Sequence, residues 1–307
     1  MKRNFGTQQR DPMRAASVLL NASRDAGGTS FSTVATVLQR FDKFVGFARE
    51  RGVSRLDKVT RLLVQNYAAF LRDSDYSAAY QQNLLSAVNT ILTKGYESQG
   101  LRWQPVTGRA EGLMRRDNVR KSPTTSKQQL QQAQADMSVH AAVVAGLARE
   151  LGLRSKEAAL LNARVALREA EGKSLVTIVD GTKGGRSRKV PVTKPSQFDA
   201  LIKAAHLQGD NRSLIPSHQT WVEFRATTLY NGRAALKRTG IKNYHDLRAA
   251  YAADRYFEET GHLAPCNNNG RRTAERSIDL QAREIIAEKL GHGRTDVLVS
   301  YVGSRKS

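Results

Sequence analysis

A chain of 307 residues, 40% hydrophobic and 25% charged, is long enough for one large or two ordinary domains and apolar enough to bury a core. Its 49 Lys+Arg against 28 Asp+Glu leave a formal charge of +21, a surplus that calls for a polyanion; nucleic acid leads, ahead of an anionic membrane surface or a ribosomal site. The single cysteine, Cys266, excludes an intrachain disulfide and a Cys-based zinc site, and no apolar run reaches the ~20 residues that span a bilayer.

Residues 1–30 are polar and contain glycine, and are expected to form a flexible N-terminal arm with one short helical stretch from Met13 to Leu20. Their first residues are basic but lack the apolar core of a signal peptide, so a cytoplasmic, nucleoid-associated protein is expected. Over residues 31–114, Val34, Val37, Leu38, Phe41, Val45 and Phe47 recur at helical spacing, with Gly52 past the end. A second helix is expected from Thr60 to Leu71, and a third after Ser77 as N-cap, carrying Tyr80, Leu84, Val88 and Leu92. Residues 115–130 are polar, basic and broken by Pro123, and read as an interdomain linker. Arg115, Arg116, Arg120 and Lys121 there are either solvated or strapped against DNA phosphates.

From 131 to 307 a larger domain follows. A helix over Val139–Leu151 ends at Gly152, and another starts near Ser155. The β-branched runs 174–180 and 188–192 flank the glycine-rich, basic loop 181–187, which predicts a β-hairpin with Arg186 available to DNA. The remainder is helical apart from residues 261–276, which read as an inserted basic loop, with Arg271 and Arg272 as further DNA-contact candidates. The fold class is therefore mainly α with a small β-sheet (α+β).

Several chemistries can be set aside. Gly172-Lys173-Ser174 lacks the glycine five residues earlier that a phosphate-binding loop needs, since position 167 is Leu. No spacing fits a zinc hydrolase or deaminase, and no carboxylates group into an evident two-metal nuclease, so no metal is expected. Four segments do line up: Gly152-Leu153-Arg154 with Glu157 three residues later; Lys183 in the hairpin loop; His245-x-x-Arg248; and Leu290-Gly291-His292 with Tyr301 nine residues beyond.

In order and together, these segments resemble the tyrosine recombinase (phage-type integrase) family. The resemblance covers about residues 130–307 by motif, and 31–114 through the helical, basic character of that family's core-binding domain. It implies a site-specific recombinase or integrase of a phage or other mobile element, with Tyr301 as nucleophile forming a 3′-phosphotyrosyl link to double-stranded DNA. No cofactor is needed, because the covalent link keeps the phosphoester energy. A tetrameric synapse is implied, with accessory DNA-bending or directionality proteins as further partners.

The residue chemistry agrees. Arg154 and Arg248 offer planar, permanently charged donors to a phosphorane's oxygens. A phenol near its reference pKa of ~10 needs a base, and His245 is the natural acceptor. Lys183 suits protonation of the departing 5′-oxygen, with Lys189 as a rival in the strand. His292 is either a hydrogen-bond donor to the scissile phosphate or a helix cap, and Glu157 either orients the cations or forms an ordinary helix ion pair. Tyr230, Tyr244, Tyr251 and Tyr256 read as packing residues, and His218 and His262 as structural or surface residues.

The match departs in three places: Ala249 stands where a second His often follows the Arg, the 261–276 stretch is extra, and only six residues follow Tyr301. The last point predicts an exposed Tyr301, and implies that another element, such as the basic insertion, bridges subunits or that their contacts are weaker. Two other readings share these residues in part: topoisomerase-like relaxation with the same chemistry, and a non-catalytic DNA-binding protein on the same fold.

Overall fold

Local capping explains where the helices of the N-terminal half begin. Asp11, Ser30, Thr60 and Ser77 each accept a backbone N–H one turn ahead. They open α1 (Pro12–Asp25), α2 (Phe31–Arg49), α3 (Arg61–Arg72) and α4 (Ala78–Glu97). Phe41, Phe44, Phe47 and Tyr67 are buried where α2 meets α3, with ring centroids of Phe44 and Tyr67 5.1 Å apart, edge to face. The extended stretch after α4 closes the core through Trp103, Val106 and Leu113. Asn89 fixes it, accepting from Trp103 Nε1 and the Val106 N–H, each at 3.0 Å.

The first thirty residues, expected as an N-terminal arm, pack on the first unit. Phe5 is 2% exposed, and its ring fills the space over Gly95 and beside Tyr96. Asn4, wholly buried, accepts from the Leu56 N–H at 2.7 Å, and its own N–H donates to Asp57 Oδ1 at 2.7 Å. Its side-chain amide donates to the carbonyls of Gln9 and Arg10. Polar composition had hidden this, because one asparagine here does the work of several backbone partners.

The computed structural model describes residues 1–306 and separates two units, Met1–Asp117 and Asn118–Ser307. The stretch expected to be a linker is thereby divided, and residues 118–126 pack on the second unit. There follow α5 (Lys127–Ala135), α6 (Val139–Glu150), α7 (Ser155–Leu160), α8 (Ala163–Lys173), β1 (Leu175–Ile178), β2 (Arg188–Pro191) and α9 (Pro195–Gln208). Then come α10 (Trp221–Ala226), α11 (Thr228–Arg238), α12 (Tyr244–Thr260), α13 (Arg276–Lys289) and α14 (Val299–Val302). The strands pair antiparallel, Val176 opposite Val190 and Ile178 opposite Arg188. Among the described residues no helix is long and apolar enough to cross a membrane.

Helix α12 is the axis of this unit. Tyr244, Leu247, Arg248, Ala250, Tyr251 and Tyr256 are buried on several of its sides, and alanines at 249, 250, 252 and 253 let neighbours approach closely. Three of the four tyrosines expected to pack do so; Tyr230, on the outer side of α11, is 62% exposed. The 261–276 stretch is not a solvated excursion: Ala264, Pro265, Cys266 and Ala274 are buried, and a Cβ on Gly303 would overlap the Cys266 backbone. Apolar residues interleaved with its asparagines and arginines carry it into the core.

Candidate active site

Two glycines let the chain turn sharply at the positions that carry the polar cluster. Gly152 ends the α6 region at φ +62°, and a Cβ there would overlap the Tyr251 ring. Gly291, φ +67°, follows α13, and His292 N–H then donates back to the Ala287 carbonyl at 2.8 Å. Both turns need the left-handed region that glycine enters without steric cost. They place Arg154 at the start of α7 and His292 beside α14, while α12 supplies His245 and Arg248 one turn apart.

Glu157 is the anion at the centre. Wholly buried, it accepts from Arg154 Nη1 at 2.5 Å, from Arg188 Nη1 at 2.8 Å and from Arg188 Nη2 at 2.7 Å. Arg248 Nη1 lies 3.8 Å away. Burial alone would raise its carboxyl, but hydrogen bonds and charge from Arg188, then Arg154, outweigh that and hold it down at about 2. Of the two readings of Glu157, orientation of cations fits this geometry better than a surface helix pair.

Arg188 is the residue that sequence reading missed. Strand parity was the available signal: it shares a face with Val190, and Val190 and Val192 are buried, so its side chain points inward. Lys189 points outward from the same strand and is exposed.

Tyr301 is 3% exposed, not the exposed phenol its position suggested, because Arg283 and Arg272 fasten the residues after it. Arg283 donates to the carbonyls of Gly303 and Ser304 and pairs with Asp279 at 2.9 Å, while Arg272 donates to the Arg305 carbonyl at 3.1 Å. The Tyr301 hydroxyl lies 3.0 Å from His292 Nε2 and accepts from Arg248 Nε at 3.4 Å. The His245 ring centroid is 4.8 Å from that of Tyr301.

Arg248 differs from expectation. It is 1% exposed, and its Nη1 and Nη2 donate to the carbonyls of Gly152 and Leu290, so neither is free to grip a phosphate as a fork. Burial lowers its pKa to about 10, and it remains a cation at neutral pH. His292 is pushed down to about 4, by desolvation first and then by Arg248 and Arg154. The His245 ring meets solvent, yet surrounding protein and Arg248 lower its pKa as well. Both imidazoles are therefore neutral at pH 7 and able to accept a proton.

Lys183 stays outside this cluster. It is exposed on a turn whose Gly184 and Gly185 both have positive φ. Among the described residues no hydrogen bond or ion pair joins it to the other site residues. Arg115, Lys121, Arg186 and Arg271 are exposed. Among the arginines expected at DNA, Arg116 donates to Ala79 and Asn83, Arg120 to Asp246, and Arg272 to the tail.

Residues 114–254 match a family model described as Integrase. No curated protein matches the sequence. A lambda integrase dimer bound to a COC′ core site is similar with a TM-score of 0.58 at 15% identity, covering 98% of this chain and 83% of that one. The Tn1549 transposon integrase in complex with transposon right-end DNA gives 0.60 at 13%, covering 94% and 95%. A lambda integrase tetramer bound to a Holliday junction gives 0.58 at 14%, covering 95% and 76%. The chain has the fold of these integrases, and the Integrase match falls on residues 114–254 of it.

Proposed function

We propose that this protein is a site-specific DNA recombinase that cleaves and rejoins strands through Tyr301, serving integration or excision of a phage or other mobile element. The observation that carries the reading is the environment of one oxygen: the Tyr301 hydroxyl sits between His292 and the Arg248 cation, with His245 alongside. A structural tyrosine has no use for a buried guanidinium and a neutral imidazole at its hydroxyl with a second imidazole against its ring.

In the proposed reaction, Tyr301 Oη attacks the scissile phosphorus and its proton passes to His245. Arg248, held by two carbonyls, stabilises the phenolate oxygen through Nε, and Arg154, partly exposed beside Glu157, holds a non-bridging oxygen. The P–O5′ bond breaks, the 5′-oxygen takes a proton from Lys183 once the hairpin closes on DNA, and a 3′-phosphotyrosyl link remains. Attack by a different 5′-hydroxyl reverses these steps without a cofactor. His292 positions the phenol. Double-stranded DNA is the substrate, Arg115, Lys121, Arg186 and Arg271 contact its phosphates, and four subunits exchange strands.

The test uses nicked duplexes cut from the DNA flanking the gene, which trap the cleaved state when the short strand diffuses away. A covalent protein–DNA adduct is expected with the native protein in the presence of a chelator, and none with Tyr301→Phe. An adduct that persists in the variant removes Tyr301 from its role. Binding without any adduct would favour the non-catalytic reading, and relaxation of a single circle without partner exchange the topoisomerase-like one.

A further inference from the structure

The segment just after the unit boundary contains an arginine each of whose three guanidinium nitrogens donates a hydrogen bond within the protein. Arg120 Nη1 donates to Asp246 Oδ1 at 2.8 Å, Nε to the Ser122 carbonyl at 3.1 Å, and Nη2 to the Pro123 carbonyl at 3.1 Å. Its backbone N–H donates to the Val299 carbonyl at 2.8 Å. Arg120 and Asp246 side chains are only 12% and 13% exposed.

Both ends of this bridge matter. Val299 opens α14, two residues before Tyr301, and Asp246 follows His245 on α12. A second tether reinforces the first: Thr124 N–H donates to Asn267 Oδ1 at 2.8 Å, and the neighbouring Cys266 thiol donates to the Tyr301 carbonyl at 3.6 Å. Residues 120–124 therefore strap down the backbone on both sides of Tyr301 and the start of the helix that carries His245.

We propose that Arg120 is a positioning residue that fixes Tyr301 and His245 relative to each other, rather than a DNA-phosphate ligand. This role rests on the strand-cleavage reading above. The geometry also gives it an electrostatic side. His245 is faced by Arg248 and Asp246 on its own helix, Arg120 from the strap, Arg154 from the start of α7, His292 after α13 and Tyr301 from α14. Removing Arg120 deletes one cation from this set and leaves Asp246 without its partner, and both changes make His245 hold a proton more strongly.

The experiment measures single-turnover adduct formation on the nicked duplexes from pH 5 to 9, with DNA affinity measured separately by fluorescence anisotropy. For Arg120→Ala the first-order rate falls about 10- to 100-fold, as expected for a reacting group displaced by about an ångström, while the dissociation constant changes less than about twofold. The acid limb of the rate profile moves to higher pH. Asp246→Asn moves that limb the opposite way, which a general loss of folding does not do. Arg120→Lys keeps a cation beside Asp246 and returns the limb towards its native position, with only partial recovery of rate.

Loss of affinity in proportion to rate, with an unmoved pH profile, makes Arg120 a phosphate contact and overturns the proposal. An unchanged Arg120→Ala variant beside an active native protein also overturns it and leaves the strand-cleavage reading intact. A native protein that binds but forms no adduct overturns that reading, and Arg120's role with it.

Discussion

Glu157 shows how much one buried carboxylate can organise. It neutralises Arg154 and Arg188 directly and lies near Arg248, three cations that would otherwise repel one another in a confined space. Glu157→Gln removes the anion and leaves Arg188 buried without a counter-charge, a change that typically costs about 3–5 kcal/mol. Thermal melting should show the second unit losing about 6–20 °C, and an unchanged midpoint would contradict the hub assignment. The sign of the pH dependence follows from the same group. Its folded pKa of about 2 lies below the ordinary 4.5, so its contribution is complete above pH 4.5 and lost as pH falls towards 2. His292, lowered from 6.5 to about 4, loses its contribution earlier, over that higher window. His245 is also lowered from 6.5, so the acid limb of the cleavage rate should have its midpoint below pH 6.5. A midpoint above that value would remove His245 as the base.

At the scale of elements, turns and tethers place the chemistry. The turn between α6 and α7 needs Gly152 twice, for its positive φ and for the Tyr251 ring packed on it, and its carbonyl anchors Arg248. Gly152→Ala should both lower stability by more than about 1 kcal/mol and slow adduct formation, since the Arg248 anchor shifts with the turn. Stability lost at full native rate would separate the turn from the site. Asn4 plays a comparable part in the first unit, at φ 45° and with its side chain hydrogen-bonded to Leu56, Gln9 and Arg10. Asn4→Ala leaves the Leu56 N–H and the Gln9 and Arg10 carbonyls short of a partner, and is expected to cost about 2–4 kcal/mol. Proteolysis at residues 1–10 should then become fast; native-like protection would mean that Phe5 alone anchors the segment.

For the whole molecule, a charge of +21 is not the same as a DNA-binding surface. Arg120, Arg188, Arg248, Arg272 and Arg283 spend their donors inside the protein, while Arg115, Arg186 and Arg271 are exposed. Alanine at each of the exposed three should weaken DNA binding evenly across sequences and reduce the slope of log affinity against log salt by about 1 apiece. Arg272→Ala should leave that slope alone and act on stability. A reversed pattern in salt titrations would mean that the tail opens when DNA binds.

The helices, the hairpin and the ordered set of Arg154, His245, Arg248, His292 and Tyr301 were legible in the residues themselves. Periodicity, caps and glycines act over a few positions, and a chemical motif keeps its spacing whatever surrounds it. The sequence by itself thus determined the class of fold and the residues proposed for phosphoryl transfer. Only the tertiary structure decided what each basic residue is for. Burial and partners come from segments far apart in the chain, as when Arg188 meets Glu157 across 31 positions and Arg120 meets Asp246 across 126. A guanidinium enclosed with a carboxylate and carbonyls holds the site together, whereas one left in water remains available for phosphate, and one-dimensional order cannot distinguish the two.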